Sequence, residues 1–375
     1  MKILFLMDIT HPSVQGGIES FGRFLKSCFP SKLTFVCHDK SHKKNELFRV
    51  EDVITVFGFS NIIFIKLRSR LFKYIKLLFK IDLTMKIYRN KISKLDKDIC
   101  ILKTPQSLKV LEGGCKKILV QHTQIDEWIK CKGYFNNERN LIDNLEFTVD
   151  KVVALSPENK KKIQNKLNLS EKKVVCIRHS SELPLLEEEK EKKKNLIMIA
   201  RVENDSKRFD LAINAMKKLP EYTLNIYGDG KDRKVLEALR AGLGLQNVIF
   251  HGKTNQVKEK LDESGIFIMT SDFEGYPISS IEAMRRGLPI ILRDTYEAAS
   301  DIVQGNGVLL EKEWNEDKFV EAVHGVYKNY EEYSLKSIEL GKRHNSEVIK
   351  KQWEKLLEKL YKSKKLEEYN VIENN

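Results

Sequence analysis

Residues 265–294 read GIFIMTSDFEGYPISSIEAMRRGLPIILRD, and the changes of pattern inside that stretch decide the fold. GIFIMTS is almost continuously apolar, the mark of a strand covered on both faces. The turn Gly275-Tyr276-Pro277 then breaks the run, and a helix is expected to start near Ile278. A second apolar run, PIILRD from Pro289, resumes the strand pattern. Strand, helix, strand in so short a span implies a right-handed crossover within a parallel sheet.

The same unit recurs upstream. NLIMIARV from Asn195, LNIYGDG from Leu224 and VIFHGK from Val248 are each followed by a helical stretch. The first half repeats the alternation with KILFLMD from Lys2, LTFVCH from Leu33, VITVFGF from Val53 and ICILKT from Ile99. KILVQHT from Lys117, VVALS from Val152 and VVCIRHS from Val174 complete the series. Ser156, Pro157 and Glu158 supply a helix start, a capping hydroxyl followed by proline at the first helical position. Between the two series lies SELPLLEEEKEKKK (residues 181–194), charged and without periodicity, which reads as a linker. The expected organisation is a domain over 1–180, a linker over 181–194, a domain over 195–345 and a terminal helix over 346–375. In that last segment Ile349, Trp353, Leu356 and Leu360 form an apolar stripe, while residues from Lys364 onward lose the pattern and are expected to fray. Ligands of doubly wound sheets lie at the carboxyl ends of the strands, so the cleft between two such sheets is the expected site.

Composition fits this reading. A chain of 375 residues suggests two or three domains at about 150 residues each. With 41% hydrophobic and 32% charged residues it is neither disordered nor fibrous. No apolar run reaches the about 18 residues of a membrane span, and Ile3 to Met7 before Asp8 is too short for a signal-peptide core. The expectation is a soluble, cytoplasmic protein. Cys28, Cys37, Cys100, Cys115, Cys131 and Cys176 contain no C-x-x-C pair, and the eight histidines lack metal-ligand spacing.

The formal charge of +13 is unevenly placed. Residues 1–180 hold 34 Lys and Arg against 18 Asp and Glu, whereas the remainder is slightly acidic. Residues 61–94 are the extreme, with ten basic residues and one acid, Asp82. Lys66, Arg70, Lys73, Lys76 and Lys80 fall along one helix face, with Leu67, Leu71, Ile75, Leu78 and Phe79 mostly on the other. That face fits a solvated lysine surface over a core stripe, or an anionic membrane surface to which the protein attaches peripherally, with Leu77 and Phe72 dipping between the headgroups. Nucleic acid is a third reading, but no recognition motif accompanies the charge, so no nucleic-acid partner is expected.

Four constellations stand at strand ends. Glu274 and Glu282 bracket the Gly275-Tyr276-Pro277 turn and the helix start at Ile278, whose free N–H groups suit a phosphate. Glu282 lies among Ile281, Ala283 and Met284, so its carboxylate needs partners; the alternative makes Glu274 a solvated loop acid and Glu282 a surface residue. Arg201 is expected to end a buried strand and Lys207 to open the next helix, so that both project toward the same cleft edge, a suitable cationic pair for a diphosphate or an ordinary basic loop. Gly16 and Gly17 let backbone approach a ligand, but do not spell the dinucleotide fingerprint G-x-G-x-x-G. His122 ends its strand run, where a structural role competes with a catalytic one. Asp96-Lys97-Asp98 reads as a helix-to-strand turn rather than a metal motif, and no G-x-S-x-G elbow exists.

Together these pieces resemble the retaining family-4 glycosyltransferases (glycosyl transferases group 1). The resemblance runs from GGIE at Gly16 to the helix after NGVLLE at Asn306, and is most specific in EGYPISSIEAMRRGLP, similar to the family's E-x7-E segment. It implies the GT-B fold, two Rossmann-like α/β domains with doubly wound parallel sheets facing an interdomain cleft. By resemblance Glu282 binds the donor ribose, Glu274 contacts the transferred sugar, and Arg201 and Lys207 hold the departing diphosphate. Gly17 approaches the phosphates from the other domain, His122 contacts the sugar or the reacting centre in a catalytic role, and Gly252 and Lys253 lie against the nucleobase. The terminal helix crosses back to the first domain. The implied activity is retaining, metal-independent hexosyl transfer, without a cofactor, from a nucleotide-sugar to a saccharide hydroxyl. UDP is the expected carrier, and a lipid-linked acceptor in cell-surface polysaccharide synthesis is the expected setting. A non-catalytic nucleotide- or partner-binding relative, a nucleotide-sugar epimerase and a phosphorylase are the competing readings. One departure is Arg208, where the family often has glycine.

Overall fold

The computed structural model describes residues 1–8, 11–13, 16–38, 52–57, 62–130 and 139–373. Cys131, Thr10, Val14 and Gln15 of the glycine segment, Gly58 and Phe59 of the third strand run, and Asn61 lie outside the described residues. The chain forms two compact units. The first comprises Met1–Ala154, Lys160–Ile177 and the residues from Lys350 onward; the second comprises Leu155–Asn159 and Arg178–Ile349.

In the first unit the apolar runs become β1 (Ile3–Asp8), β2 (Leu33–Cys37), β3 (Val53–Thr55), β4 (Ile99–Leu102), β5 (Lys116–Val120), β6 (Lys151–Ala154) and β7 (Val174–Cys176). All pair in parallel in the order β3-β2-β1-β4-β5-β6-β7. Ile3 stands opposite Leu33 on one side and Ile99 on the other. Chain order reverses between β1 and β4, which makes their carboxyl ends the switch point.

The second unit holds β8 (Asn195–Ile199), β9 (Thr223–Tyr227), β10 (Val248–Gly252), β11 (Ile266–Met269), β12 (Ile290–Arg293) and β13 (Gly307–Leu310), parallel in the order β10-β9-β8-β11-β12-β13. Its switch point lies between β8 and β11. Leu196, Ile268 and Ile291 face one core layer, and Ile197, Phe267, Ile290 and Leu292 face the other. Burial on both faces, about 1.5–3 kcal/mol for each large apolar side chain, is what the continuous apolar runs signalled. The strand reading missed β13, a half-buried edge strand of four residues that opens on Gly307.

Three local expectations are corrected. Residues from Lys364 do not fray: the helix Ser346–Glu373 continues because Lys364 pairs with Asp98 at 2.7 Å and Glu367 with Lys116 at 2.6 Å. Residues 181–194 run along the second unit, where the Leu186 N–H donates to Arg285 O at 2.8 Å and Lys190 donates to Leu261 O at 2.7 Å. In the helix Ile62–Phe79, the apolar residues expected over the core are largely exposed: Leu67, Leu71, Leu78 and Phe79 all face solvent. The helix instead packs through Phe72, against Phe57 at 6.0 Å, and through Arg68, stacked 3.9 Å over the same ring, so Phe72 is not available to a membrane surface as expected, whereas Leu77 is exposed.

Candidate active site

The second unit's switch point is built from backbone outward. Ala200 and Val202 follow β8, and the IYGDG turn after β9 lies directly against them. A side chain at Gly228 would stand 1.8 Å from Ala200 O, and one at Gly230 would stand 2.3 Å from Val202 O. Only glycine permits that approach, so the motif fixes the path of the segment carrying Arg201. A one-turn helix, Asn204–Lys207, comes next. Lys207 therefore closes a short helix rather than opening the following one, Phe209–Ala215. Between them Arg208 adopts φ 51°, ψ 46°, a left-handed conformation suited to glycine. Its guanidinium is held by Asp210 at 3.0 Å and Asp272 at 3.3 Å, which offsets that strain and accounts for the departure at this position.

The segment after β11 is stitched to this loop. Thr270 Oγ1 donates to the carbonyls of Lys207 (3.1 Å) and Arg208 (2.8 Å), and the Asp272 N–H donates to Ser206 O at 2.9 Å. Arg293, buried at the end of β12, donates to Thr270 O at 2.9 Å and to Asp272 at 2.6 Å. These bonds bring two predicted residues together: Lys207 Nζ lies 2.5 Å from Glu274 Oε1, which also accepts from Ser271 Oγ at 2.9 Å. Arg201 stands apart, with a side chain 62% exposed and paired with Glu203 at 3.2 Å.

Gly275, Tyr276 and Pro277 are buried and lead into the helix Ile278–Arg285, which starts at the expected residue. The Tyr276 hydroxyl fixes the turn from behind, 3.0 Å from Asp301 and 3.2 Å from His344 Nε2. Arg178 grips Asp301 through two bonds of 2.7 Å, and the His344 Nδ1–H donates to His179 O at 2.8 Å. Burial holds His344 neutral, down to about 3, while the Arg178 guanidinium, against the cost of burial, holds the Asp301 carboxyl below the usual range. Sequence reasoning missed this network; the one available signal was polar residues clustered in VVCIRHS directly after a buried strand. Glu282 projects from the helix's second turn, and burial alone pushes its carboxyl up to about 7. A lysine–carboxylate pair beside a helix N-terminus, with a desolvated acid in the second turn of that helix, can receive an anion bearing neutral hydroxyls.

Gly252 ends β10 and Lys253 follows it. Gly252 has φ 77°, and exposed Lys253 borders a recess of about 460 Å³ with Thr254, Tyr227 and His251, whose rings stack at 4.4 Å.

In the first unit Gly16 and Gly17 open the helix Gly17–Cys28, and the buried Glu19 carboxylate folds back over Gly16. His122 follows β5, half-buried, its ring 5.2 Å from Phe21, which in turn lies 5.6 Å from Trp353. At this unit's switch point stands a cluster that sequence reasoning did not find. Asp8, left-handed at φ 52°, accepts from Ser107 (2.9 Å), Thr104 (3.0 Å) and Tyr88 (3.4 Å). Burial pushes its carboxyl up, Lys103 beside it pulls the other way, and burial lowers Lys103. Lys66, Arg70, Lys73, Lys76 and Lys80 are all exposed on the helix Ile62–Phe79 and the residue after it. Among the described residues no group of three or more His, Cys, Asp or Glu side chains is placed to hold a metal ion. No helix among them is long and apolar enough to cross a membrane.

Residues 186–344 match the family model for glycosyl transferases group 1. The chain is 27% identical over 196 residues to the O-antigen biosynthesis glycosyltransferase WbnH of Escherichia coli, covering 52% of this chain and 55% of that one. It is 28% identical over 153 residues to the poly(glycerol-phosphate) alpha-glucosyltransferase of Bacillus subtilis, covering 39% and 22%. The chain thus spans about half the length of WbnH and less of the second relative. Among solved structures, S. aureus TarM with fondaparinux, alpha-GlcNAc-glycerol and UDP superposes with a TM-score of 0.74 at 17% identity, covering 96% of this chain and 100% of that one. Anabaena HepE with UDP and glucose gives 0.74 at 15% identity, covering 96% and 100%. The chain has the GT-B fold, and the stretch that matches the glycosyl transferases group 1 model, residues 186–344, carries the switch-point site.

Proposed function

We propose that the chain is a retaining glycosyltransferase that moves a hexosyl unit from a UDP-sugar to a hydroxyl of a saccharide acceptor. The acceptor is carried on a lipid during cell-surface polysaccharide synthesis, at an anionic membrane surface. One observation carries the reading: Lys207 and Glu274 meet at 2.5 Å in the switch-point crevice of the unit that matches the family model. The relatives' names, O-antigen and poly(glycerol-phosphate) glycosyltransferases, support the substrate class.

The chemistry follows from where charge develops. As the bond from the sugar's anomeric carbon to the diphosphate oxygen breaks, negative charge grows on the diphosphate. Lys207, Arg201 and the N–H groups at the start of the helix Ile278–Arg285 stabilise that charge more than they stabilise bound donor. No divalent ion is needed for this task. Lys207 leaves Glu274 for the phosphate, which frees the Glu274 carboxylate to accept from sugar hydroxyls. Glu282 accepts from the ribose, Gly252 and Lys253 flank the base, and Gly275 to Ile278 line the phosphates. Gly16 and Gly17 bring backbone toward the phosphates, and His122 contacts the transferred sugar. The acceptor oxygen attacks from the face the diphosphate leaves and its proton passes to the departing phosphate, so the anomeric configuration is retained.

The test is UDP release from a panel of UDP-sugars with saccharide acceptors in excess EDTA, with the new linkage assigned by NMR. Acceptor-dependent release with an unchanged anomeric configuration is expected. Sugar interconversion without acceptor, inversion, or loss of turnover on chelation would each overturn part of the reading.

A further inference from the structure

The helix Ile62–Phe79 divides into three sectors at 100° per residue. Ile65, Arg68, Phe72 and Ile75, at steps of three, four and three, are half-buried and attach the helix to its unit. Ile63, Leu67, Leu71, Tyr74 and Leu78, at steps of four, four, three and four, form a second sector and are 53–62% exposed. Lys66, Arg70, Lys73 and Lys76, continued by Lys80, make the third. The helix contains no acidic residue, and the next acid, Asp82, is tied to Lys76 at 2.7 Å. Eight of the nineteen exposed large apolar side chains among the described residues lie on this one helix. Such concentration marks an interaction surface rather than ordinary scatter.

The neighbouring charge selects the occupant. A second copy of the chain docking here by two-fold symmetry would set two basic sectors side by side with no acid to neutralise them. A phosphate backbone would satisfy the cations and leave the apolar sector in water. An anionic bilayer satisfies both, with headgroups for the lysines and the upper acyl region for the leucines. We infer that this helix lies in the interface of an anionic membrane, with Ile63, Leu67, Leu71, Tyr74 and Leu78 inserted and Lys66, Arg70, Lys73, Lys76 and Lys80 among the headgroups. This deepens the proposed function and rests on it for the acceptor alone. The following helix, Leu83–Ser93, places Tyr88 against Asp8 (3.4 Å) and His38 (4.9 Å between rings), at the carboxyl ends of β1 and β2. A docked membrane therefore meets the first unit at the edge where its own switch point opens.

The test is co-sedimentation of the full chain with vesicles of phosphatidylcholine alone or mixed roughly two to one with phosphatidylglycerol, at low and at high salt. Wild type is expected on the anionic vesicles only, with salt weakening but not abolishing binding. Leu67→Ser/Leu71→Ser/Leu78→Ser should lower binding about tenfold or more at low salt without changing the melting temperature, because the positions are exposed. Lys66→Glu/Arg70→Glu/Lys73→Glu should do likewise. The same leucine variant should keep full turnover on a soluble acceptor, so loss of lipid binding and failure of the transferase reading are read separately. No binding by wild type, a leucine variant that binds as wild type does, or a lipid-free dimer that this variant dissociates would overturn the inference.

Discussion

Both sheets change strand order once, and the two crevices this creates treat their polar groups in opposite ways. Between β1 and β4, Asp8 accepts from Ser107, Thr104 and Tyr88, a buried cluster that satisfies itself. Between β8 and β11, Lys207 and Glu274 hold each other in a pair a ligand can open, Arg201 stands in solvent, and Glu282 is shifted by burial alone. Position at a switch point is common to both. What separates a ligand site from a structural one is whether the polar groups have been used up by the protein itself.

The comparison predicts where substitutions will act. Lys207→Ala should lower turnover by tens-fold or more with little change in melting temperature, since it removes a charge that matters most as the diphosphate departs. Unchanged kinetics would erase the distinction between the two crevices. Glu282→Gln should weaken UDP about tenfold in calorimetry. In wild type, UDP affinity should rise as pH increases through about 7, because the carboxyl must lose its proton to accept from the ribose. The contribution of Glu282 to the stability of the ligand-free chain should run the other way. A carboxyl whose folded value of about 7 lies above its usual 4.5 binds its proton more tightly when folded. The Glu282 contribution to stability is then fully present below about 4.5 and is lost as pH rises to about 7, by on the order of 3 kcal/mol, so the difference in stability between wild type and Glu282→Gln should change across that range in denaturant titrations. Asp8→Asn should cost roughly 1–3 kcal/mol of stability and leave UDP affinity unchanged; a fall in affinity would place the first crevice in the nucleotide site. The smallest effect is expected for Arg208→Gly, which relieves backbone strain of about 1 kcal/mol while losing two ion pairs, so its melting temperature should move little.

The strands and the helix start at Ile278 were legible because continuous apolar runs and a Gly-Tyr-Pro turn are local signals. Strand β13 was not, since a four-residue edge strand that opens on glycine, with three residues half-buried and only Leu310 buried, carries almost no periodicity. The pairing of Lys207 with Glu274, 67 residues apart in sequence, depends on Thr270, Asp272 and Arg293 stitching their two loops together, which spacing cannot reveal. Asp8 was hidden at the end of an apolar run, where one acid reads as a strand terminus. The basic stripe of the helix Ile62–Phe79 is visible in the sequence, but period alone cannot say whether the leucine sector beside it faces the core or the surface; the structure leaves it exposed.

A crystal structure of the chain with UDP tests the central claim most directly. The account predicts the β-phosphate at the N-terminus of the helix Ile278–Arg285, Lys207 Nζ turned from Glu274 onto it, and the ribose hydroxyls on Glu282. A Lys207–Glu274 pair left intact, with the diphosphate bound elsewhere, would contradict it.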